Sequence, residues 1–485
     1  MPGQNRKIVV VGAGIGGVAV AALLQNKGHQ VTLLERNAFT GGRCTSFRRD
    51  GFVVDSAFHM FSFGDSGPHG EINRRLRGDL QWNVHRTMGT ARMDGRGWVR
   101  IPISIPGFIP EWGPAFAKGT IRPKVFDGLR HTLRNFGVME LARTLYKMLM
   151  TDELFLQSLN DMTMYDFLMR LTEDPVLHRP WAFLSLLATV VPYTEVSAGE
   201  LIWCTLSSYK RKSLGVPVGG SKEVAGSFAR AFRRDGGEMR LGCEVRRILV
   251  ENGKARGVET SEGEEIRADL VISNAGIHRT VELAGEEHFP GEYLSYVKGL
   301  RLSYAAVIVK LGFSRRVEGL PPRGFLNMGT MDPPKMLDYI AERAVPEDLP
   351  FAAIVPSDWD PNTAPLGKQL AILGTVAPSE VTPENTAYGE RLMDRLEEIF
   401  YEFFPDARSK VEWRIRNHTG YFASLTGKPT GEVIGLAQCV GQTGVHKPSP
   451  LTPVEDLWLV GCDAGARGVG TEQASASALY LSNLI

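Results

Sequence analysis

The chain has 485 residues, 43% of them hydrophobic and 22% charged, the composition of an ordinary globular protein with length for two or three domains. Lys and Arg total 55 against 54 Asp and Glu, so a net charge of +1 supplies no field for nucleic acid or an anionic surface, and no nucleic-acid partner is expected. Five scattered cysteines, Cys44, Cys204, Cys243, Cys439 and Cys462, form no Cys-x-x-Cys pair, which argues against zinc or a disulfide framework and fits a reducing cytoplasm.

Seven polar or small residues precede the first strand, leaving no room for the apolar core of a signal peptide, and a cytoplasmic protein is expected. Residues 8–11, Ile-Val-Val-Val, read as a strand buried on both faces of a parallel sheet. Gly12-Ala13-Gly14-Ile15-Gly16-Gly17 follows, and residues 18–25, rich in Ala, Val and Leu, read as a helix stopped by Asn26-Lys27-Gly28. Gly12 permits a tight turn, Gly14 lets the backbone approach a pyrophosphate, Gly17 lets helix and strand pack closely, and phosphates rest on the helix N-terminus at Ile15 and Gly16. A second strand, 30–34, ends at Glu35, about 20 residues beyond the loop, where a carboxylate accepts hydrogen bonds from an adenosine ribose; Arg36 follows at the same strand end. Together these elements predict a dinucleotide site.

Gly41-Gly42-Arg43, followed by Thr45 and Ser46, resembles the second glycine motif of the FAD family that contains flavin amine oxidases, protoporphyrinogen oxidases and carotenoid desaturases. The resemblance implies FAD, with Gly42 close to the cofactor and Arg43 near its phosphate and flavin portion. After Asp55-Ser56-Ala57-Phe58-His59-Met60 the α/β pattern gives way to a polar, proline-rich passage containing Ile101-Pro102 and Ile105-Pro106, which signals a different domain. Residues 136–191 carry helical periodicity with Met139, Leu145, Met148, Leu149, Met150, Leu154 and Phe155, read either as a helical core or as an adaptable greasy channel or membrane-facing lid. The longest near-apolar stretch, 181–191, is about half the ~20 residues that span a bilayer, and Pro192 closes it, so no transmembrane helix is expected.

The dinucleotide unit resumes at Pro217-Val218-Gly219-Gly220 and a helix over 221–234. Short strands at 239–241, 243–249, 255–260 and 265–267 read as a meander with Asn252-Gly253 and Glu262-Gly263 turns, and a buried strand over 270–273 ends at Asn274-Ala275-Gly276. The same FAD family shares a Pro-x-Gly-Gly turn, a Val near the adenosine and an Ala-Asp-x-Val-Ile-x-Asn-Ala strand. Val245, Asn274 and Ala275 fall on that pattern. Residues 296–435 read as a mixed α/β substrate domain with strands at 305–311 and 369–376, a proline-containing loop at 356–365 and a helix at 385–404.

Leu457-Trp458-Leu459-Val460-Gly461-Cys462-Asp463-Ala464-Gly465 resembles the C-terminal FAD motif of the family. The resemblance puts Gly461 at the cofactor and Asp463 against its ribityl or pyrophosphate portion; an ordinary helix cap is the alternative for Asp463. Gly468-Val469-Gly470-Thr471 opens a helix over 472–482, whose N-terminus in the family points at the flavin pyrimidine and stabilises the reduced ring.

Within that family the chain most resembles phytoene desaturase-like enzymes and retinol saturases, on the Gly-Phe-x-x-Asp-x-Ala-x-His run at 51–59, the Pro-x-Gly-Gly turn and the Asp-Pro-x-x-Ala-Pro-x-Gly stretch at 360–367. It departs from the desaturases over 465–472, where they carry a histidine, a proline and several glycines; Arg467 and Glu472 there bring charge toward the flavin and suit a substrate with a polar end. The resemblance implies an α/β fold: a discontinuous, glutathione reductase-like Rossmann-type FAD domain of residues 1–75, 212–295 and 440–485, and an inserted α+β substrate domain of 76–211 and 296–439 with a helical lid. It implies hydride transfer between flavin N5 and a carbon of an apolar, isoprenoid-like substrate, desaturating or saturating a C–C bond. The alternatives are a flavin amine oxidase and a non-catalytic flavin-stabilised lipid scaffold. His59 is the candidate catalytic and cofactor-contacting histidine, against a structural role, with Tyr304 and Arg467 as further candidates. No cysteine has the motif for covalent attachment, so FAD is expected to be non-covalent. Without a second GxGxxG, electrons are expected to pass to oxygen, a quinone or a redox protein, and peripheral membrane contact accompanies a lipid substrate.

Overall fold

The β-branched run near the start of the chain forms the strand Lys7–Val11 at the centre of a five-stranded sheet in a computed structural model. The structure describes residues 5–85, 87–93, 97–102, 130, 133, 139–140, 142–144, 146–329, 332–465 and 467–485. All pairings in the sheet are parallel, in the spatial order Leu457–Leu459, Leu270–Ser273, Lys7–Val11, Gln30–Glu35, Glu238–Leu241. Ile8, Val10, Leu33 and Ile272 enter one core with the helices Ile15–Asn26, Lys222–Arg234 and Gly470–Leu484. Val9, Val11, Leu34 and Val271 enter a second core against the antiparallel ribbon Val245–Glu251, Lys254–Thr260, Glu265–Arg267. Burial on both faces is why these strands read as continuous apolar runs rather than as alternation.

One strand is not where the sequence pattern puts it. Residues 239–241, expected in the meander, belong to Glu238–Leu241, which pairs in parallel with Gln30–Glu35 and closes the sheet edge. The helix Lys222–Arg234 packs on the sheet and returns the chain to that open edge through Gly236-Gly237, where the Phe232 ring lies so close that a Cβ on Gly237 would meet it at 2.1 Å. A hairpin absent from the sequence reading pairs Ser46–Arg49 with Phe52–Asp55 around Asp50-Gly51, both at positive φ, the geometry of a two-residue hairpin turn.

A seven-stranded mixed sheet runs Val411–Asn417, Ala305–Phe313, Gln369–Ala377, Phe351–Ile354, Gly324–Asn327, Thr87–Met93, Gly97–Pro102, antiparallel except where Gly324–Asn327 meets Thr87–Met93. One face packs Val307, Val309, Leu311 and Phe313 with Leu392, Leu396 and Phe400 of the helix Pro383–Phe403. That helix starts where Thr382 accepts the Asn385 amide and Pro383 opens the first turn. The other face gathers Ile308, Ile354 and Ile372 with Ala57 and Phe422.

The stretch expected to be helical contains Glu153–Ser158, Met164–Leu171 and Pro175–Thr189, followed by Ala198–Arg211; Leu145, like Ile105-Pro106, lies outside the described residues. Leu156, Phe167, Leu168 and Leu201 join the core under the mixed sheet, whereas Met139 and Leu154 are 84% and 77% exposed. Among the described residues no helix is long and apolar enough to cross a membrane. The expected loop at 356–365 is instead two short helical turns, Pro356–Trp359 and Pro361–Thr363, because Asp360 caps the second by accepting the Asn362 amide. Its other oxygen accepts the Gly219 amide at 2.7 Å, tying the 360–367 stretch to the Pro-x-Gly-Gly turn.

Candidate functional site

The C-terminal ends of the parallel strands open onto a cavity of about 700 Å³, the place where open α/β sheets bind ligands and a volume within the range of ~300–1,000 Å³ for small-molecule sites. Gly12 turns the chain at φ +91°, and the helix Ile15–Asn26 begins at Gly14 with no side-chain cap and no acidic residue in its first turn, so no carboxylate of its own offsets the positive end at the cavity. A Cβ on Gly17 would stand 1.9 Å from the Gly12 carbonyl oxygen. Asn274, its amide oriented by its partners, donates to the Val460 carbonyl and accepts the Gly14 amide, each at 3.3 Å, bridging three strand ends.

Glu35 is buried, and its carboxylate braces the loop: Oε2 accepts the Ala13 amide at 2.7 Å, and Oε1 accepts the backbone and side-chain N–H of Asn37 at 2.8 Å each. The Arg36 guanidinium lies against Gly427, where a Cβ would meet Nη1 at 1.6 Å. Deeper in, Arg43 donates to the Glu432 carbonyl and stands 3.7 Å from Cys462 Sγ. Lys428 pairs with Glu432 at 2.8 Å. Burial opposes the Lys428 ammonium, but Asp463 and Glu432 outweigh it and hold its pKa above the ordinary value, so it stays charged. Asp463 accepts the Ile277 amide at 3.1 Å and the Leu436 amide at 3.2 Å; burial raises its pKa, yet Lys428 and those amides bring it below the usual carboxylate value. It therefore caps the helix Ile277–Ala284 while lining the cavity.

His59 lines the cavity, half-buried, with Nε2 3.1 Å from the Arg43 carbonyl oxygen. A carbonyl only accepts, so Nε2 carries the proton and Nδ1 is the basic nitrogen. Burial lowers the imidazole pKa, with Asp55 and the Arg43 contact opposing, and the ring is neutral at neutral pH. Beyond it the cavity is apolar, walled by Phe58, Met60, Phe183, Leu187, Ile308 and Leu326.

The residues singled out in the sequence converge here from three distant blocks: Gly12, Gly14, Ile15, Gly16, Glu35, Arg36, Gly42, Arg43 and His59 from the first, Val245, Asn274 and Ala275 from the second, Gly461, Asp463, Gly470 and Thr471 from the third. Gly17 sits behind the loop as a packing position. Two of the three catalytic candidates, too, do not line the cavity. Tyr304 precedes the strand Ala305–Phe313 and packs on the core under the mixed sheet, leaving Ala306 and Ile308 to face inward. Arg467 is drawn away by Glu153 at 2.9 Å and by the buried carboxylate of Glu200 at 3.3 Å. Sequence reasoning missed Lys428 and Lys310. Lys310, fully buried, donates to the Ser56 carbonyl at 2.8 Å between the rings of Phe47 and Tyr421; a lone lysine inside a nine-residue apolar strand is its sequence signal.

The family model described as flavin containing amine oxidoreductase matches residues 15–480. The zeta-carotene-forming phytoene desaturase of Myxococcus xanthus is 27% identical over 94% of this chain and 90% of its own length. The chloroplastic prolycopene isomerase of Daucus carota is 24% identical over 95% of this chain and 77% of its own. Among solved structures, an oxidoreductase from Methanosarcina mazei shares the mixed α/β fold with a TM-score of 0.71 at 23% identity, covering 98% of this chain and 100% of that one.

Proposed function

Since the chain belongs to the flavin containing amine oxidoreductase family and is a flavin-dependent oxidoreductase, we propose that its cavity holds FAD non-covalently and serves hydride transfer between flavin N5 and a carbon of an apolar, isoprenoid-like substrate. One observation carries this reading: a single cavity is lined both by the glycine cradle with the cations Arg36, Arg43, Arg279 and Lys428 and by an apolar set of side chains. The donor set fits the cofactor. Glu35 suits the adenosine ribose, the uncapped helix end at Gly14 with Arg43 and Lys428 suits the diphosphate, and the first turn of Gly470–Leu484, also without a side-chain cap, suits the electron-rich end of the ring. Burial pushes the Cys462 thiol up to about 11, which keeps it protonated and supports non-covalent binding.

On this reading residues 1–75, 212–295 and 440–485 form the discontinuous, glutathione reductase-like FAD unit. Residues 76–211 and 296–439 form the substrate unit, with Pro175–Thr189 presenting Phe183, Leu184 and Leu187 as the inner surface of the lid.

When bound, FAD supplies a two-electron acceptor or donor for the substrate carbon. The chain supplies the rest. Phe58, Met60 and Phe183 orient an apolar molecule and exclude water. His59 holds its Nε2 proton against the Arg43 carbonyl and offers Nδ1 to a proton leaving the substrate. Oxygen, a quinone or a redox protein completes the electron balance. The exposed Met139, Leu149, Met150 and Leu154 support peripheral membrane contact of a cytoplasmic protein, which liposome flotation at low salt tests. The decisive experiment is anaerobic stopped-flow absorbance of the flavoprotein. Bleaching of oxidised flavin by isoprenoids supports desaturation, and reoxidation of reduced flavin by unsaturated isoprenoids supports saturation. Bleaching by amines alone refutes both, and silence across all panels favours a lipid-holding scaffold.

A further inference from the structure

Behind the cavity wall, at the first turn of the helix Gly470–Leu484, lies a buried carboxyl and imidazole pair that the roles above leave unused. Glu472 lines the cavity at 6% exposure, and its Oε1 accepts the Phe63 amide at 3.1 Å. Its Oε2 stands 3.4 Å from Nε2 of the fully buried His69, and neither of these atoms has a hydrogen-bond partner. On the far side of the ring, His69 Nδ1 is 2.7 Å from Ser475 Oγ, and Phe61 and Trp82 hold the ring in place with centroids 5.7 and 6.0 Å away.

Two placements, differing by one proton, suit a pair at this distance. Either the Glu472 carboxyl turns its proton toward Nε2 while Nδ1–H donates to Ser475, or, with that proton lost to solvent, Nε2–H turns toward the carboxylate while the Ser475 hydroxyl donates to Nδ1. The groups facing the pair from other elements are Arg211 and the thiol of Cys204 on the helix Ala198–Arg211, and the thiol of Cys44 on the loop after the second glycine motif. Burial pushes the Glu472 carboxyl up to about 8, against the Phe63 amide and Arg211, and pushes the imidazole down to about 3. Though the distance is that of an ion pair, both partners are neutral at neutral pH, and the first placement holds. An acidic side chain in a first helical turn ordinarily keeps its charge; here loss of solvent overrides the helix dipole.

We infer that Glu472 and His69 form a proton store on the cavity wall that is coupled to the oxidation state of the flavin. The inference rests on the reading that FAD occupies this cavity. Two electrons and one proton delivered to the flavin leave one net negative charge in the site. A Glu472 carboxylate beside that charge takes up a second proton from solvent, and releases it when the two electrons leave. Below the pH at which Glu472 ionises the carboxyl is already loaded, so uptake is confined to more alkaline solution.

The test is a reductive titration of the purified flavoprotein against a reference dye between about pH 7 and 9.5, with Glu472→Gln alongside. Below about pH 8 the wild-type equilibrium shifts tenfold per pH unit, about 30 mV for a two-electron couple, and above it the shift grows toward a hundredfold, about 59 mV. Glu472→Gln keeps the tenfold dependence throughout. Reduced-minus-oxidised infrared spectra of the wild type at about pH 9 gain a protonated-carboxyl band that the variant lacks. A wild type with one slope over the whole range, or without that band, overturns the inference even if Glu472→Gln does not fold. A protein that binds no FAD overturns instead the reading of the cavity on which it rests.

Discussion

Replacing Lys310 by methionine removes an ammonium from the sealed space between Phe47 and Tyr421 while nearly keeping its volume. Burial pushes the lysine from its ordinary 10.5 to about 7, with Asp55 opposing. Between those two values the unfolded chain holds a proton that the folded chain has released. The unfolded state therefore binds more protons there, and stability rises with pH by up to about 1.4 kcal/mol per pH unit. The contribution is complete above about 10.5 and lost as pH falls through about 7, a span of roughly 5 kcal/mol. Loss of the hydrogen bond to the Ser56 carbonyl adds a nearly pH-independent offset of about 1–3 kcal/mol to the variant. Equilibrium urea unfolding of wild type and Lys310→Met, both saturated with FAD, measures the difference at intervals from about pH 6 to 10, where other titrating groups cancel. The wild type gains several kcal/mol on the variant across that range. Parallel curves would refute the assignment of a depressed ammonium to this position.

Gly17→Ala drives a Cβ into the Gly12 carbonyl and pushes the helix off the glycine loop; flavin fluorescence titration should show loss of FAD binding, and unchanged affinity would contradict the packing role. Glu35→Gln replaces an oxygen that accepts from Ala13 or Asn37 with a donor, and FAD affinity should fall roughly ten- to hundredfold, the value of a charged hydrogen bond. His59→Gln can still donate to the Arg43 carbonyl but has no basic nitrogen; flavin bleaching by substrate should slow by about 10²–10⁴ with FAD affinity little changed. Leu187→Glu puts a carboxylate in the apolar chamber; the flavin spectrum should survive while isoprenoid-dependent bleaching disappears, and retained bleaching would place the substrate elsewhere.

The glycine-lined half of the cavity was legible because its shape is carried by backbone geometry that only particular residues permit. Gly12, Gly14 and Gly17 with Glu35 announce a strand, turn and helix, which the structure holds, with Gly12, Gly14 and Glu35 lining the cavity and Gly17 packing behind them. The Ala-Asp-x-Val-Ile-x-Asn-Ala strand was legible for the same reason, being buried on both faces. Residues whose role comes from long-range packing were not. Lys428 meets Arg43 and Asp463 only after the helix Thr419–Thr426 delivers it to the cavity, and His69 reaches Glu472 across about 400 residues of chain. Tyr304 and Arg467 were misjudged because their neighbourhood in sequence is close to the site while their side chains answer to other partners: an apolar core for the first, Glu153 and Glu200 for the second. Strand Glu238–Leu241 was misplaced because a four-residue strand looks alike in a ribbon and at a sheet edge.

The order of strands in the parallel sheet also sets a timetable for biogenesis. Leu270–Ser273 needs Leu457–Leu459 as its outer neighbour, and about 180 residues separate them. At ~5–20 residues per second, a ribosome takes roughly 10–40 s to cover that distance, during which Leu270–Ser273 has one unpaired edge and the helix Gly470–Leu484 does not yet exist. The nascent protein therefore spends that interval with an aggregation-prone edge and half a cavity wall, a stage at which chaperone cover matters most. If the cavity holds the flavin as proposed, its loading becomes a late event, and a nonsense mutation a few codons before the C-terminal helix would leave a chain nearly full in length with no closed cavity to fill.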